Sequence, residues 1–132
     1  MENRFHLDDL KLYAHLNRFM EYNHIEFVEL TDDYCILKHD ATEDSMNING
    51  NVHGGLLMTM CDVAVSTLIR KQGENCATNS FNINYLRPGH GIVYAKAEFV
   101  KKGRRINVMH AWCYDEEGKI LCDAVANMCQ ID

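Results

Sequence analysis

Nine residues, Asn47-Ile48-Asn49-Gly50-Asn51-Val52-His53-Gly54-Gly55, lead into an apolar run from Leu56 to about Lys71 whose one acid is Asp62. Two glycines where a loop becomes a helix leave backbone N–H groups at the positive end of the helix dipole. No Cβ obstructs a substrate oxygen there. Such a helix start can hold a carbonyl whose oxygen gains charge as a tetrahedral centre forms. A carboxylate then acts on water as a general base, or attacks as a nucleophile. The residue types suggest carbonyl chemistry.

Spacing constrains how that chemistry is assembled. Gly54 and Asp62 stand eight residues apart on one helix, roughly 12 Å along its axis. An aspartate side chain does not cover that distance. If both act on one carbonyl they come from two antiparallel helices, so the reading requires a dimer with two equivalent shared sites. Each residue also has a plainer reading. Asp62 can be a helix acid bonded to a neighbour or reaching solvent, and Gly54-Gly55 a tight loop-to-helix junction. His53 can be a capping or packing residue and Asn47 a turn residue. Cys61 points about 100° away from Asp62 around the helix and reads as a core thiol.

Composition bounds the function classes. The 132 residues suffice for one domain spanning 1–132 with a core that needs no disulfides. A formal charge of −6 disfavours broad nucleic-acid binding through phosphates. No signal-peptide h-region is visible near Asp8, Asp9, Lys11 and Arg18, and no apolar run is long enough to span a membrane. The expected location is cytoplasmic. Six cysteines without a C-x-x-C pair read as reduced core thiols, and seven histidines show no zinc-ligand spacing, so no metal is expected.

The elements that must position these residues follow from periodicity. Residues 7–20 read as an amphipathic helix carrying Leu12, Leu16, Phe19 and Met20, with Asp8 and Asp9 near its start. From Ile25 the period drops to two and predicts a hairpin turning at Thr31-Asp32-Asp33. Residues 40–51 form a long polar loop, and loops of that length are commonly functional. The run from Gly54 is apolar nearly all round and predicts a helix buried at the centre of the domain, stopped at Gly73. Strands over 76–87, 92–101, 105–114 and 120–131 then read as an antiparallel meander, with Ile106, Val108, His110 and Trp112 on one face. The predicted class is α+β: a central helix wrapped by about six antiparallel strands, after a short N-terminal helix.

The pattern Asn47-x-x-Gly50-x-x-His53-Gly54-Gly55, with Asp62 seven residues after the second glycine, resembles the hotdog-fold acyl-CoA thioesterases. It looks closest to the PaaI-like and thioesterase superfamily member 2-like branch. Asn84-Tyr85-Leu86-Arg87-Pro88 and Lys102-Gly103-Arg104 match that family in order and spacing. The resemblance spans about residues 20–130 and implies hydrolysis of an acyl- or aryl-CoA thioester to free acid and CoA. It implies that the Gly54 N–H polarises the carbonyl while Asn47 positions the carbonyl or the water and His53 orders the loop. Asp62 of the partner subunit is then base or nucleophile, and Thr78 orients the water. The resemblance also implies a homodimer joined sheet edge to sheet edge, commonly paired into tetramers. Coenzyme A is part of the substrate and no other cofactor is expected.

Thr78 conflicts with simple alternation. It shares a face with Ser80, Asn82 and Asn84, opposite Phe81 and Ile83, so strict pleating points it away from the helix. A bulge, or a place at the dimer seam, restores the role. For the nucleotide, Arg87, Lys101, Lys102, Arg104 and Arg105 gather at two turns, where the plainer reading is a solvated charged turn. The family's contacts fall on Tyr85, Arg87, Pro88, Gly89 and Lys101, with Ser80 at a further contact position and Gly55 at the helix start. Two other readings stay open: a dehydratase or hydratase on acyl thioesters, and a non-catalytic acyl-CoA binder. The sequence leaves the acyl group unspecified.

Overall fold

The computed structural model describes residues 9–131. Two short helices, α1 (Leu10–Leu16) and α2 (Arg18–Tyr22), precede the hairpin of β1 (Ile25–Leu30) and β2 (Tyr34–Asp40). The long helix α3 (Gly54–Lys71) is followed by β3 (Asn75–Tyr85), β4 (Ile92–Lys101), β5 (Ile106–Asp115) and β6 (Ile120–Ile131). All six strands form one antiparallel sheet in the order β1-β2-β4-β5-β6-β3. The expected helix wrapped by six strands is what the chain forms.

Small side chains make the wrapping possible. The face turned to α3 carries Ala95 and Ala97 on β4, Ala111 and Cys113 on β5, and Cys122, Ala124 and Ala126 on β6, all buried. Side chains this short let the sheet curve closely round the helix. The helix answers with the bulk: Leu57, Met60, Leu68 and Ile69 are almost wholly buried. Ile106, Val108, His110 and Trp112 do share a face, but it is the outer one; Asn107, Met109, Ala111 and Cys113 point inward.

Two expectations need correction. The helix over 7–20 is broken at Asn17, whose φ −83° and ψ 82° leave the helical region. The Asn17 side chain instead accepts the Met20 N–H at 3.3 Å and caps α2. The apolar stripe does not pack inward as a unit: Met20 is buried, whereas Leu12, Leu16 and Phe19 are exposed. Asp9 caps α1, accepting from Lys11 and Leu12; Asp8 lies outside the described residues. The second correction is to the meander. Only β4-β5-β6 is one, because β3 pairs with β6 and the Pro88–Gly91 segment crosses to the far side of β5. Alternation reports which face a residue takes and carries no information on which strand lies beside it.

The turn before β5 makes a stability prediction. A Cβ on Gly103 would overlap the Ile106 carbonyl oxygen, a backbone atom that cannot rotate away. Gly103→Ala is expected to cost about 1–3 kcal/mol, read as a lowered urea midpoint.

The outer face makes a second one. Burial pulls the His110 pKa down, but bonds to Asp123 at 2.7 Å and Glu98 at 3.3 Å overcome that and hold it above 6.5. A histidine raised on folding stabilises most fully below its unfolded pKa, and that contribution is lost as pH rises through the folded value. Stability measured from pH 6 to pH 8 should therefore fall more in the wild type than in His110→Gln, as urea melts across that window will show.

Candidate active site

The glycine-rich loop is built by its own side chains. Asn47 Oδ1 accepts the N–H groups of Asn49 at 2.9 Å and Asn51 at 3.1 Å, and the Asn47 N–H donates to the Asn51 carbonyl at 2.8 Å. The turn closes through Gly50 at φ +78°, a conformation that favours glycine. Asn47 is thus a turn residue whose oxygen is committed to backbone; only its amide nitrogen remains to meet a ligand.

His53 caps α3. Its Nδ1 accepts the Gly55 N–H at 2.9 Å, which requires the neutral ring with its proton on Nε2. The His53 carbonyl accepts from Leu56 and Leu57. Among the described residues no acceptor is bonded to the Gly54 N–H. The first turn therefore offers one free donor, at the position the sequence singled out, while Gly55 spends its own on His53. Tyr85 supports this corner by donating its hydroxyl to the Gly54 carbonyl at 2.7 Å. A Cβ on Gly54 would lie 3.1 Å from the Tyr85 ring, so the ring packs where a side chain would stand.

Asp62 and Thr78 meet because β3 is irregular. The register against β6 slips between Thr78 and Ser80, so one extra residue inverts the pleat. Cys76 and Thr78 face α3 before the slip, and Phe81, Ile83 and Tyr85 after it. The Thr78 hydroxyl donates to Asp62 Oδ1 at 2.6 Å, a short O–H···O bond. Of the two ways to turn Thr78 toward the site, a bulge or a place at the dimer seam, the bulge is present. Ser80 falls on the opposite face, where its hydroxyl accepts from Asn127 at 2.8 Å.

Asp62 and Thr78 line an open cleft of about 450 Å³ with Asn17, Phe19, Ser66 and Arg70. Of the last four, only Phe19 belongs to a sequence expectation, as part of the apolar stripe of the first helix. Ser66 lies one helical turn beyond Asp62 and Arg70 two, a periodicity that could have placed them there. A larger cleft of about 1160 Å³ lies by His24, His39 and Ser45. His39 there bonds the His24 carbonyl at 3.1 Å and the Ser45 hydroxyl at 2.7 Å, a network that ties the loop to the hairpin. It brings no reacting group to Gly54 or Asp62.

The remaining residues divide between the two ends of the sheet. Tyr85, Arg87, Pro88 and Gly89 sit at the Gly54 end. Arg87 donates to the Ile120 carbonyl at 2.9 Å, and Gly89 is buried, its carbonyl accepting from Val52. Lys101 pairs with Val108 near the other end. By strand geometry it lies about 17 Å from the Tyr85 level along the strands and about 14 Å across them. Arg87 and Lys101, expected at two different turns, therefore do not form one basic patch within a chain. Gly54 and Asp62 share the unbroken helix α3, whose rise per residue sets them roughly 12 Å apart along its axis.

A profile of the thioesterase superfamily matches residues 49–122, more than half of the chain. The chain belongs to the thioesterase superfamily. Among relatives, ComA2 of Bacillus subtilis (strain 168), whose name as an esterase is provisional, is 31% identical over 103 residues, covering 74% of this chain and 82% of its own. A hypothetical thioesterase from Streptococcus pneumoniae TIGR4, solved with coenzyme A, is 29% identical with TM-score 0.78, covering 83% of this chain and 90% of that one. Two further structures of a hypothetical thioesterase from that organism carry alanine in place of one aspartate and of one threonine. Their numbering sets those two positions sixteen apart, as Asp62 and Thr78 are in this superfamily member. The PaaI protein of the E. coli phenylacetic acid degradation operon shares the fold at TM-score 0.89 and 16% identity, covering 100% of this chain and 97% of its own. No helix among the described residues is long and apolar enough to cross a membrane.

Proposed function

We propose that the protein hydrolyses an acyl- or aryl-CoA thioester, with each active site completed across a homodimer. The observation that carries this is the Thr78–Asp62 bond of 2.6 Å, held at a cleft by the β3 bulge. The coenzyme A bound by the Streptococcus pneumoniae thioesterase, and the equal spacing of its relatives' substituted aspartate and threonine, support the same reading.

The thioester carbonyl oxygen accepts the free Gly54 N–H at the positive end of α3, and His53 keeps Gly55 and the loop in place. Asn47, through its amide nitrogen, helps to position the carbonyl or the water. Asp62 of the partner acts on the opposite side, as base on water or as nucleophile, and Thr78 keeps its carboxylate oriented and can accept a bond from that water. With Asp62 as base, water adds at the carbonyl carbon and gives its proton to Asp62, forming an oxyanion that faces Gly54; collapse breaks the C–S bond, and the CoA thiolate takes that proton as the free acid leaves. With Asp62 as nucleophile, the same collapse leaves a mixed anhydride, which water then cleaves to release the acid and restore the carboxylate. Tyr85, Arg87, Pro88 and Gly89 of one chain with Lys101 of the other are candidates for the nucleotide end, which removes the difficulty that Arg87 and Lys101 are far apart within a chain. Ser80, on the outer face, is the weakest of the proposed contacts.

Strand β3 supports the dimer. It is one of the sheet's two edge strands, eleven residues long, with no proline and no charged side chain between Asn75 and Tyr85. A long unblunted edge is a template for pairing with another strand. A pair of β3 strands would bring each chain's Asp62 cleft toward the partner's helix start, and pairs of dimers would give the tetramer.

The test is release of free thiol from a panel of aryl- and fatty-acyl-CoAs. Turnover of at least one member is expected. Binding without turnover across the panel would leave an acyl-CoA binder instead, and conversion of a 3-hydroxyacyl-CoA to its enoyl form would mark a dehydratase.

A further inference from the structure

Three cysteines converge at one point of the core. Cys61 on α3, Cys113 on β5 and Cys122 on β6 hold their Sγ atoms within 4.8 Å of one another, and all three are buried. Cys113 and Cys122 are direct partners across β5 and β6, and Cys61 comes down on them from the helix. The Cys61 and Cys113 sulfurs are 3.6 Å apart, well beyond the about 2.05 Å of a disulfide. Packing explains buried thiols in general, since a thiol behaves as a small apolar group. Cys35 is such a case, buried and outside the cluster. Packing does not call for three of the five buried cysteines to meet.

A metal ion does. The centre of a sulfur triangle of this size lies about 2.1–2.8 Å from each corner, which brackets the zinc–thiolate bond of about 2.3 Å. We propose that Cys61, Cys113 and Cys122 form a binding site for a soft divalent cation with a filled d shell, of the zinc and cadmium class. Charge selects the valence: three thiolates around a divalent ion leave one net negative charge in the core, whereas a monovalent ion leaves two, and buried charge is expensive. Each thiol passes its proton to solvent as the ion binds. The Leu57 carbonyl, 3.5 Å from Cys113 Sγ, has a second lone pair and supplies the fourth donor. The ion would fasten the start of α3 to β5 and β6. Cys61 adjoins Asp62, and Cys122 lies opposite Tyr85, which holds the Gly54 carbonyl.

The test is a cadmium titration of the intact chain, kept reduced by a phosphine, followed by thiolate-to-cadmium absorption and proton release. One cadmium per chain is expected, with three protons released, native far-ultraviolet dichroism retained and displacement by excess zinc. Cys35→Ala/Cys76→Ala/Cys129→Ala should keep the full signal and Cys122→Ala should lose it. No stoichiometric signal in the wild type, its loss in the triple variant, full intensity in Cys122→Ala, or unfolding on loading would each overturn the proposal. None of these readouts depends on hydrolysis.

Discussion

Replacing Asp62 by asparagine is expected to lower thiol release about 10²- to 10⁴-fold, the range for removing a positioned general base, while acyl-CoA binding is kept. Asparagine preserves size and can still accept from the Thr78 hydroxyl, so the fold is undisturbed and the loss reports the carboxylate alone. In barrier terms it is about 2.7–5.4 kcal/mol. A fall in kcat at similar substrate affinity fits a group used mainly in the transition state. Thr78→Val should lose less, because it removes one bond to a carboxylate that is still present. Should Asp62→Asn turn over at the wild-type rate, the carboxylate has no part in the reaction and the proposed function fails.

Mixing two inactive chains is expected to restore activity. Gly54→Pro deletes the one free donor of the helix start while suiting the local backbone. Proline is favoured at the first position of a helix, and His53, at φ −59° and ψ 133°, already has the extended backbone that a following proline imposes. The Tyr85 ring must yield a few tenths of an ångström, so folding is checked by circular dichroism. If Gly54 of one chain works with Asp62 of its partner, a heterodimer of Gly54→Pro and Asp62→Ala holds one intact site and one doubly defective site. Random pairing of equal amounts then returns about a quarter of wild-type activity. No recovery, with heterodimers shown to form, would overturn the shared site.

The fold was legible wherever periodicity carried it. The apolar run from Gly54 to Lys71 could only be buried, and alternation in the later strands marked four ribbons with near-correct limits. What was lost depends on contacts made after those elements form. Nothing in the residues of β3 names β6 as its neighbour, because pairing is decided by how the sheet closes round α3. Leu12, Leu16 and Phe19 have helical spacing, yet Asn17 caps a second helix and the stripe stays exposed. At the candidate site, Gly54 was identified by type, but the reason it alone has a free N–H, namely that His53 takes the donor of Gly55, needed the histidine ring to be placed. Arg87 and Lys101 flank two turns in the sequence; those turns lie at the two ends of β4, and the strand order, invisible in the sequence, adds the distance across the sheet.

The slip between Thr78 and Ser80 has a consequence for how relatives should be aligned. Ahead of it the inward phase of β3 falls on even numbers, and behind it on odd ones. Asn79 is the extra residue: without it Thr78 would still lie opposite Met128 and Ser80 opposite Asn127, so the hydroxyl would keep its inward place in an unbroken alternation. A relative one residue shorter here is therefore aligned with its gap at Asn79. A gap drawn one column away would make a functional member of the family look as though it had no hydroxyl at all.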